Sequence, residues 1–299
     1  MKLLHSFFFS ILLAGLTVTA CENVDTNTDN DIDGSSEEIN FGGSSGNKEE
    51  YVRLEKYIYN KGTNGVEMEV YLPKENVNIR KAVIACPGGA YSSHAAHEGA
   101  VWAPYFNNLG IAFAVLKYTL PGGDPNKPVN DIKRALTILH DMADKWLIDK
   151  DKIGVMGFSA GGHLACYSAT SAGFASNISP DFQILIYPVI TMTTGTHGGS
   201  RTNLLGAAPS DELINKYSNE KHVTANTPKA FISYATNETV VPPATNSQAF
   251  YQAMTTAGAS VECVPIEGDK HGWHHDNSSQ VTQYLTPLKE KLTPWLQNL

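Results

Sequence analysis

Cysteine is scarce in this chain, four residues in 299, and the four are scattered. Cys86, Cys166 and Cys263 lie on separate apolar stretches, while Cys21 stands near the start. An odd number of separated cysteines in the body argues against a disulfide framework and leaves each one to pack as a small hydrophobe. Positive charge is in deficit too, with 22 Lys and Arg against 30 Asp and Glu, a net charge of −8. The deficit is local: Met1–Ala20 carries +1 and residues 21–50 carry −8, which leaves −1 for residues 51–299. A nearly neutral body has no basic footprint for nucleic acid. Long hydrophobic runs are missing as well, since the run Phe7–Leu16 falls far short of the roughly 20 residues a membrane-spanning helix needs. Metal-ligand spacing is also lacking. His94, His97 and Glu98, and again His271, His274, His275 and Asp276, follow neither HExxH nor HxxEH, so they read as exposed loop histidines. No metal and no organic cofactor is implied.

What is present divides into three parts. Lys2, the run Phe7–Leu16 and the small residues Val18-Thr19-Ala20 read as a secretory signal over residues 1–20. Small residues directly before Cys21 resemble the lipobox of bacterial lipoproteins, which implies export and a lipidated Cys21 anchoring the chain at an outer membrane or cell surface. Ordinary signal cleavage between Ala20 and Cys21 is the alternative. Residues 22–50 hold nine acids, one lysine and many Asn, Gly and Ser, too little apolar surface to fold, so 21–50 reads as a flexible tether. The chain is 42% hydrophobic, and residues 51–299 suffice for one large α/β domain.

Period-two alternation predicts strands at Tyr51–Tyr59 and Val66–Leu72, joined as a hairpin around Asn64-Gly65. Apolar runs predict further strands at Lys81–Ala85, Ile111–Leu116, Ile153–Gly157, Phe182–Tyr187, Ala230–Tyr234 and Val261–Pro265. Helical spacing falls at about Glu98–Leu109 and Ile132–Trp146, Leu164–Ala169 reads as an apolar helix, and further helices are expected at about Ala244–Ala257 and Gln280–Leu296. Pro188–Pro228 has little periodicity, and so long a structureless loop is unusual inside a compact domain, which points to a lid or short helices. Eight strands, the first pair antiparallel and the rest alternating with helices, predict a mostly parallel, doubly wound sheet with helices on both faces. Its functional loops lie at the strands' carboxyl ends.

The centre of the chain is Gly157-Phe158-Ser159-Ala160-Gly161, between a buried strand and a helix. Gly-x-Ser-x-Gly in that setting is a nucleophile elbow, in which a strained turn lifts the serine above the sheet and its neighbours two before and two after must lack a side chain. A glycine-rich turn with a serine N-cap is the bland alternative. The α/β-hydrolase fold places an oxyanion loop after an earlier strand and orders the remaining partners Ser, acid, His. At the loop position stands Pro87-Gly88-Gly89-Ala90-Tyr91, with Gly89 and Ala90 small enough for their N–H groups to join that of Ala160 at a developing oxyanion. His271, after the last strand, stands where the general base belongs, with His274 and His275 as competitors. The preceding strand runs into Tyr234-Ala-Thr-Asn-Glu238-Thr-Val-Val-Pro242.

The segments CPGGAY, GFSAGGHLA, RTNLLG from Arg201, NETVVP and KHGWHH resemble the α/β-hydrolase esterases that include bacterial acetyl xylan and feruloyl esterases, over residues 51–299. The resemblance implies a serine esterase that cleaves acetyl or feruloyl esters of poly- or oligosaccharides through an acyl-enzyme. Ser159 would be the nucleophile, His271 the base and Glu238 the acid, at a position where that family usually has Asp. Glutamate keeps the charge that orients an imidazole but adds a methylene. Tyr91, Trp102 and Trp273 are candidates for lining an acyl or sugar pocket, although burial is the commoner fate of tryptophan. Arg201–Asn219 is a candidate lid edge. Two other readings share these features: a prolyl-oligopeptidase-like serine peptidase or general lipase/esterase, and a noncatalytic glycan-binding lipoprotein on a hydrolase scaffold.

Overall fold

The central strands of the sheet, Ala112–Lys117 and Phe182–Ile186 among them, are apolar and buried along nearly their whole length, as a sheet covered on both faces requires. The computed structural model describes residues 35–40, 51–58, 66–73, 78–174 and 178–299, all within one compact unit. Its strands are β1 Ser35–Asn40, β2 Tyr51–Ile58, β3 Glu67–Leu72, β4 Arg80–Cys86, β5 Ala112–Lys117, β6 Ile148–Phe158, β7 Phe182–Ile186, β8 Lys229–Ala235 and β9 Val261–Ile266. They form one sheet in the order β1-β2-β3-β5-β4-β6-β7-β8-β9. Pairing is antiparallel from β1 to β5 and parallel from β5 to β9.

Helices flank the sheet: α1 Ala103–Asn108, α2 Asn126–Asp141, α3 Ala143–Trp146, α4 Ser159–Thr170, α5 Gly198–Leu205, α6 Asp211–Lys216 and α7 Ser247–Ala257. At the end, α8 Ser278–Gln280 runs through a π turn, Val281–Leu285, into α9 Thr286–Gln297. Strand periodicity divides the side chains between two cores. From β4, Ala82, Ile84 and Cys86 enter one core with Ile132, Leu136 and Leu139 of α2, Leu164 of α4 and Phe250 of α7. Val83 and Ala85 enter the other with Phe106 of α1 and Leu288, Leu292 and Leu296 of α9.

From β4 the chain crosses to β5 through α1, then returns through α2 and α3 to β6 on the other side of β4. The strand order therefore reverses at β4, and the carboxyl ends of β4 and β6, where Cys86 pairs with Gly157, open the crevice in which doubly wound sheets place their ligands.

The structure departs from the sequence expectation at three places. The sheet has a ninth strand, β1, inside the segment expected to be a tether; an edge strand needs only its backbone ladder, and acidic side chains are ordinary there. The helix expected at Glu98–Leu109 begins as two 3₁₀ turns, Ala96–Glu98 and Ala100–Trp102, before α1. The helix expected over Ile132–Trp146 breaks at Met142 between α2 and α3. Pro188–Pro228 carries α5, α6 and a 3₁₀ turn, Asn219–His222. The expected signal over 1–20 and the lipidation position Cys21 lie outside the described residues.

Candidate active site

Ser159 sits where β6 ends and α4 begins, with a left-handed φ of 50°. A non-glycine residue there costs about 1–2 kcal/mol, which the surrounding packing must over-determine. The packing does so by close approach. A Cβ on Gly157 would collide with the Gly161 carbonyl, and one on Gly161 would collide with the Cys86 and Pro87 carbonyls at the end of β4. The two glycines therefore let the elbow close onto itself and onto the neighbouring strand.

His271, in the loop after β9, reaches this serine, its Nε2 lying 2.8 Å from Ser159 Oγ. Its Nδ1 lies 3.0 Å from Oε1 of Glu238, in the loop after β8. A carboxylate only accepts, so Nδ1 carries the proton and Nε2 accepts from the Ser159 hydroxyl. Glu238 is fully buried at its side chain, and its Oε1 also accepts the Val241 N–H at 3.1 Å. The competitors lie elsewhere. His274 stacks on His97 with ring centroids 3.7 Å apart. His275 packs edge-on against Trp102, and burial, helped by Lys289, pushes its imidazole down to about 4. Asn237 is exposed and does not enter the cluster.

The loop after β4 is held through its carbonyls. Pro87 O accepts the Tyr118 hydroxyl at 2.7 Å, Gly88 O the Ala95 N–H at 3.0 Å, Gly89 O the Ser92 N–H at 2.9 Å, and Ala90 O the Asn203 amide at 2.8 Å. In a trans peptide the N–H points opposite to the carbonyl of the same plane. Fixing the Gly88 and Gly89 carbonyls thus turns the Gly89 and Ala90 N–H groups the other way, and no hydrogen bond among the described residues uses them. The Ala160 N–H is one of the free donors at the start of α4. Gly89, Ala90 and Tyr91 all have positive φ, at 120°, 55° and 60°.

Residues 68–254 match the BD-FAE family model. The chain belongs to the BD-FAE family. It is 35% identical over 250 residues to an acetylxylan esterase of Xylanibacter ruminicola, covering 82% of this chain and 51% of that protein. It is 37% identical over 197 residues to endo-1,4-beta-xylanase B of Butyrivibrio fibrisolvens, covering 62% of this chain and 31% of that protein. The chain thus spans about half the length of the first relative and about a third of the second. An acetyl ester-xyloside bifunctional hydrolase from Caldicellulosiruptor lactoaceticus superposes with a TM-score of 0.69 at 27% identity, covering 83% of this chain and 88% of that one.

The structure of this BD-FAE family member buries all three aromatic pocket candidates. Tyr91 and Trp273 are each only 1% exposed, so neither has surface to offer a ligand. The Tyr91 hydroxyl donates to His163 Nδ1 at 2.9 Å, and the Trp273 indole donates to the Lys270 carbonyl at 2.9 Å. Trp102 is buried as well, beneath the Lys289 ammonium. Sequence reasoning missed the residues that hold the loops. His163, four residues past Ser159 on α4, donates from Nε2 to the Tyr217 carbonyl at 2.7 Å, and burial pushes its imidazole down to about 4, so it stays neutral and accepts from Tyr91. Asn203 lies within the RTNLLG segment, whose helix α5 is capped by His197. Burial and the neighbouring His271 lower the His197 imidazole. Glu98 gives no signal in the sequence beyond the start of a helix and a spacing to His94 and His97 that fits no metal motif.

Proposed function

We propose that this chain is a serine esterase that removes acyl groups, acetyl or feruloyl, from plant-type poly- or oligosaccharides through an acyl-enzyme. The observation that carries the proposal is the hydrogen-bonded series Ser159–His271–Glu238, 2.8 and 3.0 Å long, beside two unengaged amides in a loop locked by its own carbonyls. His271 Nε2 takes the Ser159 proton as Oγ attacks the ester carbonyl carbon, and the tetrahedral oxyanion accepts from the Gly89, Ala90 and Ala160 N–H groups. Each such donor is worth on the order of 3 kcal/mol in the transition state. The Glu238 charge stabilises the imidazolium, which returns the proton to the leaving alcohol. Water, deprotonated by the same His271, then attacks the acyl-Ser159 carbonyl, and collapse of the second intermediate frees the acid and restores the serine. The carbohydrate side of the proposal is supported by the acetylxylan esterase and the acetyl ester-xyloside hydrolase among the chain's relatives.

The test is an activity panel of acetylated xylan, methyl ferulate, p-nitrophenyl acetate and a proline-containing peptide, with Ser159→Ala as control. Ester hydrolysis by the wild type and none by Ser159→Ala is expected. Peptide cleavage without ester cleavage would replace the reading by a peptidase, and inertness toward all four would leave a binding scaffold.

A further inference from the structure

Glu98 lies under the oxyanion loop with its side chain 4% exposed, and it has no part in the chemistry above. A buried carboxylate is costly unless its oxygens are satisfied, and both of these are. Oε2 accepts the Gly88 N–H at 2.6 Å and Oε1 the Tyr187 hydroxyl at 2.9 Å. The Gly88 N–H belongs to the same peptide plane as the Pro87 carbonyl, which Tyr118 holds from the other end. The plane at the root of the loop is therefore fixed at both ends, and its orientation is inherited by Gly89 and Ala90. There is no slack in this contact, because a Cβ on Gly88 would lie 2.6 Å from Glu98 Oε2 and 2.9 Å from Ser159 Cβ.

Tyr187 extends the connection to the other side of the site. Its hydroxyl accepts the Trp273 N–H at 3.4 Å, two residues from His271, and its ring lies 4.7 Å from the His271 ring. Burial, reinforced by Glu98, holds the Tyr187 phenol well above its ordinary value, so it remains a donor to the carboxylate. Tyr187 itself has a left-handed φ of 38°, a further strained position beside those of Ser159, Ala90 and Tyr91.

We propose that Glu98 is a positioning residue for the esterase reaction, setting the oxyanion loop against the histidine loop through Gly88 and Tyr187. The inference rests on the serine-esterase reading. Its effect is felt where negative charge develops, so loss of the contact lowers kcat and leaves KM nearly unchanged.

The experiment compares the full-length wild type, Glu98→Gln, Glu98→Ala and Tyr187→Phe with p-nitrophenyl acetate, the active-site concentration being fixed by fluorophosphonate titration. Glu98→Gln retains one acceptor for Gly88 and is expected to lose about 10-fold in kcat, and Glu98→Ala about 100-fold, the scale of a displacement of about 1 Å at a reacting centre. KM should stay within about twofold, and affinity for a boronic acid that mimics the tetrahedral anion should fall in step with kcat. A purely structural residue would instead lower the melting temperature or the titrated fraction and leave kcat per titrated site intact, which would overturn the proposal. If the Glu98 variants do not fold, Tyr187→Phe decides by the same criterion, with a kcat loss of about 10-fold expected. A wild type that neither hydrolyses the ester nor reacts with the probe overturns the esterase reading and this inference together. An active wild type with full kcat in all variants overturns this inference alone.

Discussion

Glu238 stands where the resembling esterases usually carry Asp, and its oxygens account for how the longer side chain is used. Oε1 takes both the His271 Nδ1–H and the Val241 N–H, while Oε2 is buried without a hydrogen-bond partner. In Glu238→Gln the two donors select the amide oxygen and leave the NH₂ at the unpartnered position. The imidazole tautomer survives and only the charge is lost. The expected cost is therefore about 10²-fold in kcat, short of the ~10⁴-fold that follows when an amide imposes the wrong tautomer. Turnover measured per titrated site checks this, and full activity would remove Glu238 from the relay. At this scale the sequence was informative wherever loop position constrains chemistry: Ser159, Glu238 and His271 follow three different strands, and the fold brings them within hydrogen-bonding distance. Glu98, His163 and Asn203 were not legible, because each acts on a backbone group or a hydroxyl that only the fold brings near: Glu98 on Gly88 and Tyr187, His163 on Tyr91, Asn203 on Ala90. Tyr91 and Trp273 were misjudged because an aromatic beside a site motif looks the same in sequence whether it faces the ligand or the core.

At the scale of the element, α4 passes through the core with residues 159–169 all buried, and it carries an ionisable group with it. The His163 imidazole titrates near 4 in the folded chain and near 6.5 when unfolded. Between these values the unfolded chain binds more protons, so stability falls as pH drops from about 6.5 toward about 4, by roughly 3 kcal/mol, and this contribution is complete below that range. His275 shifts in the same direction. Thermal melts of the wild type and His163→Gln across this window should show a shallower acid decline in the variant, and equal slopes would show that burial of His163 does not set the decline. The apolar composition that buries α4 was readable as a helix, but its hydrophobic periodicity was not, since every face is covered. The stretch Pro188–Pro228 lacked periodicity for a different reason: α5 and α6 are each only two turns or so, too short for a repeat to emerge.

At the scale of the whole molecule, the parallel part of the sheet was legible because strands covered on both faces must be continuously apolar and must be joined by helices. Right-handed crossovers then leave little choice of order. β1 escaped notice because a sheet edge asks only for backbone pairing with β2, which acidic residues supply as well as others do. That architecture brings the loops after β4, β6, β8 and β9 to one end of the sheet, so one covalent test interrogates the whole arrangement. The chain is reacted with a fluorophosphonate, and peptide mass mapping locates the adduct. A single stoichiometric adduct on Ser159, lost in Ser159→Ala and formed more slowly in Glu238→Gln, is the expected result. Absence of an adduct, or an adduct at another residue with Ser159 unmodified, would contradict the assignment of Ser159 as an activated nucleophile.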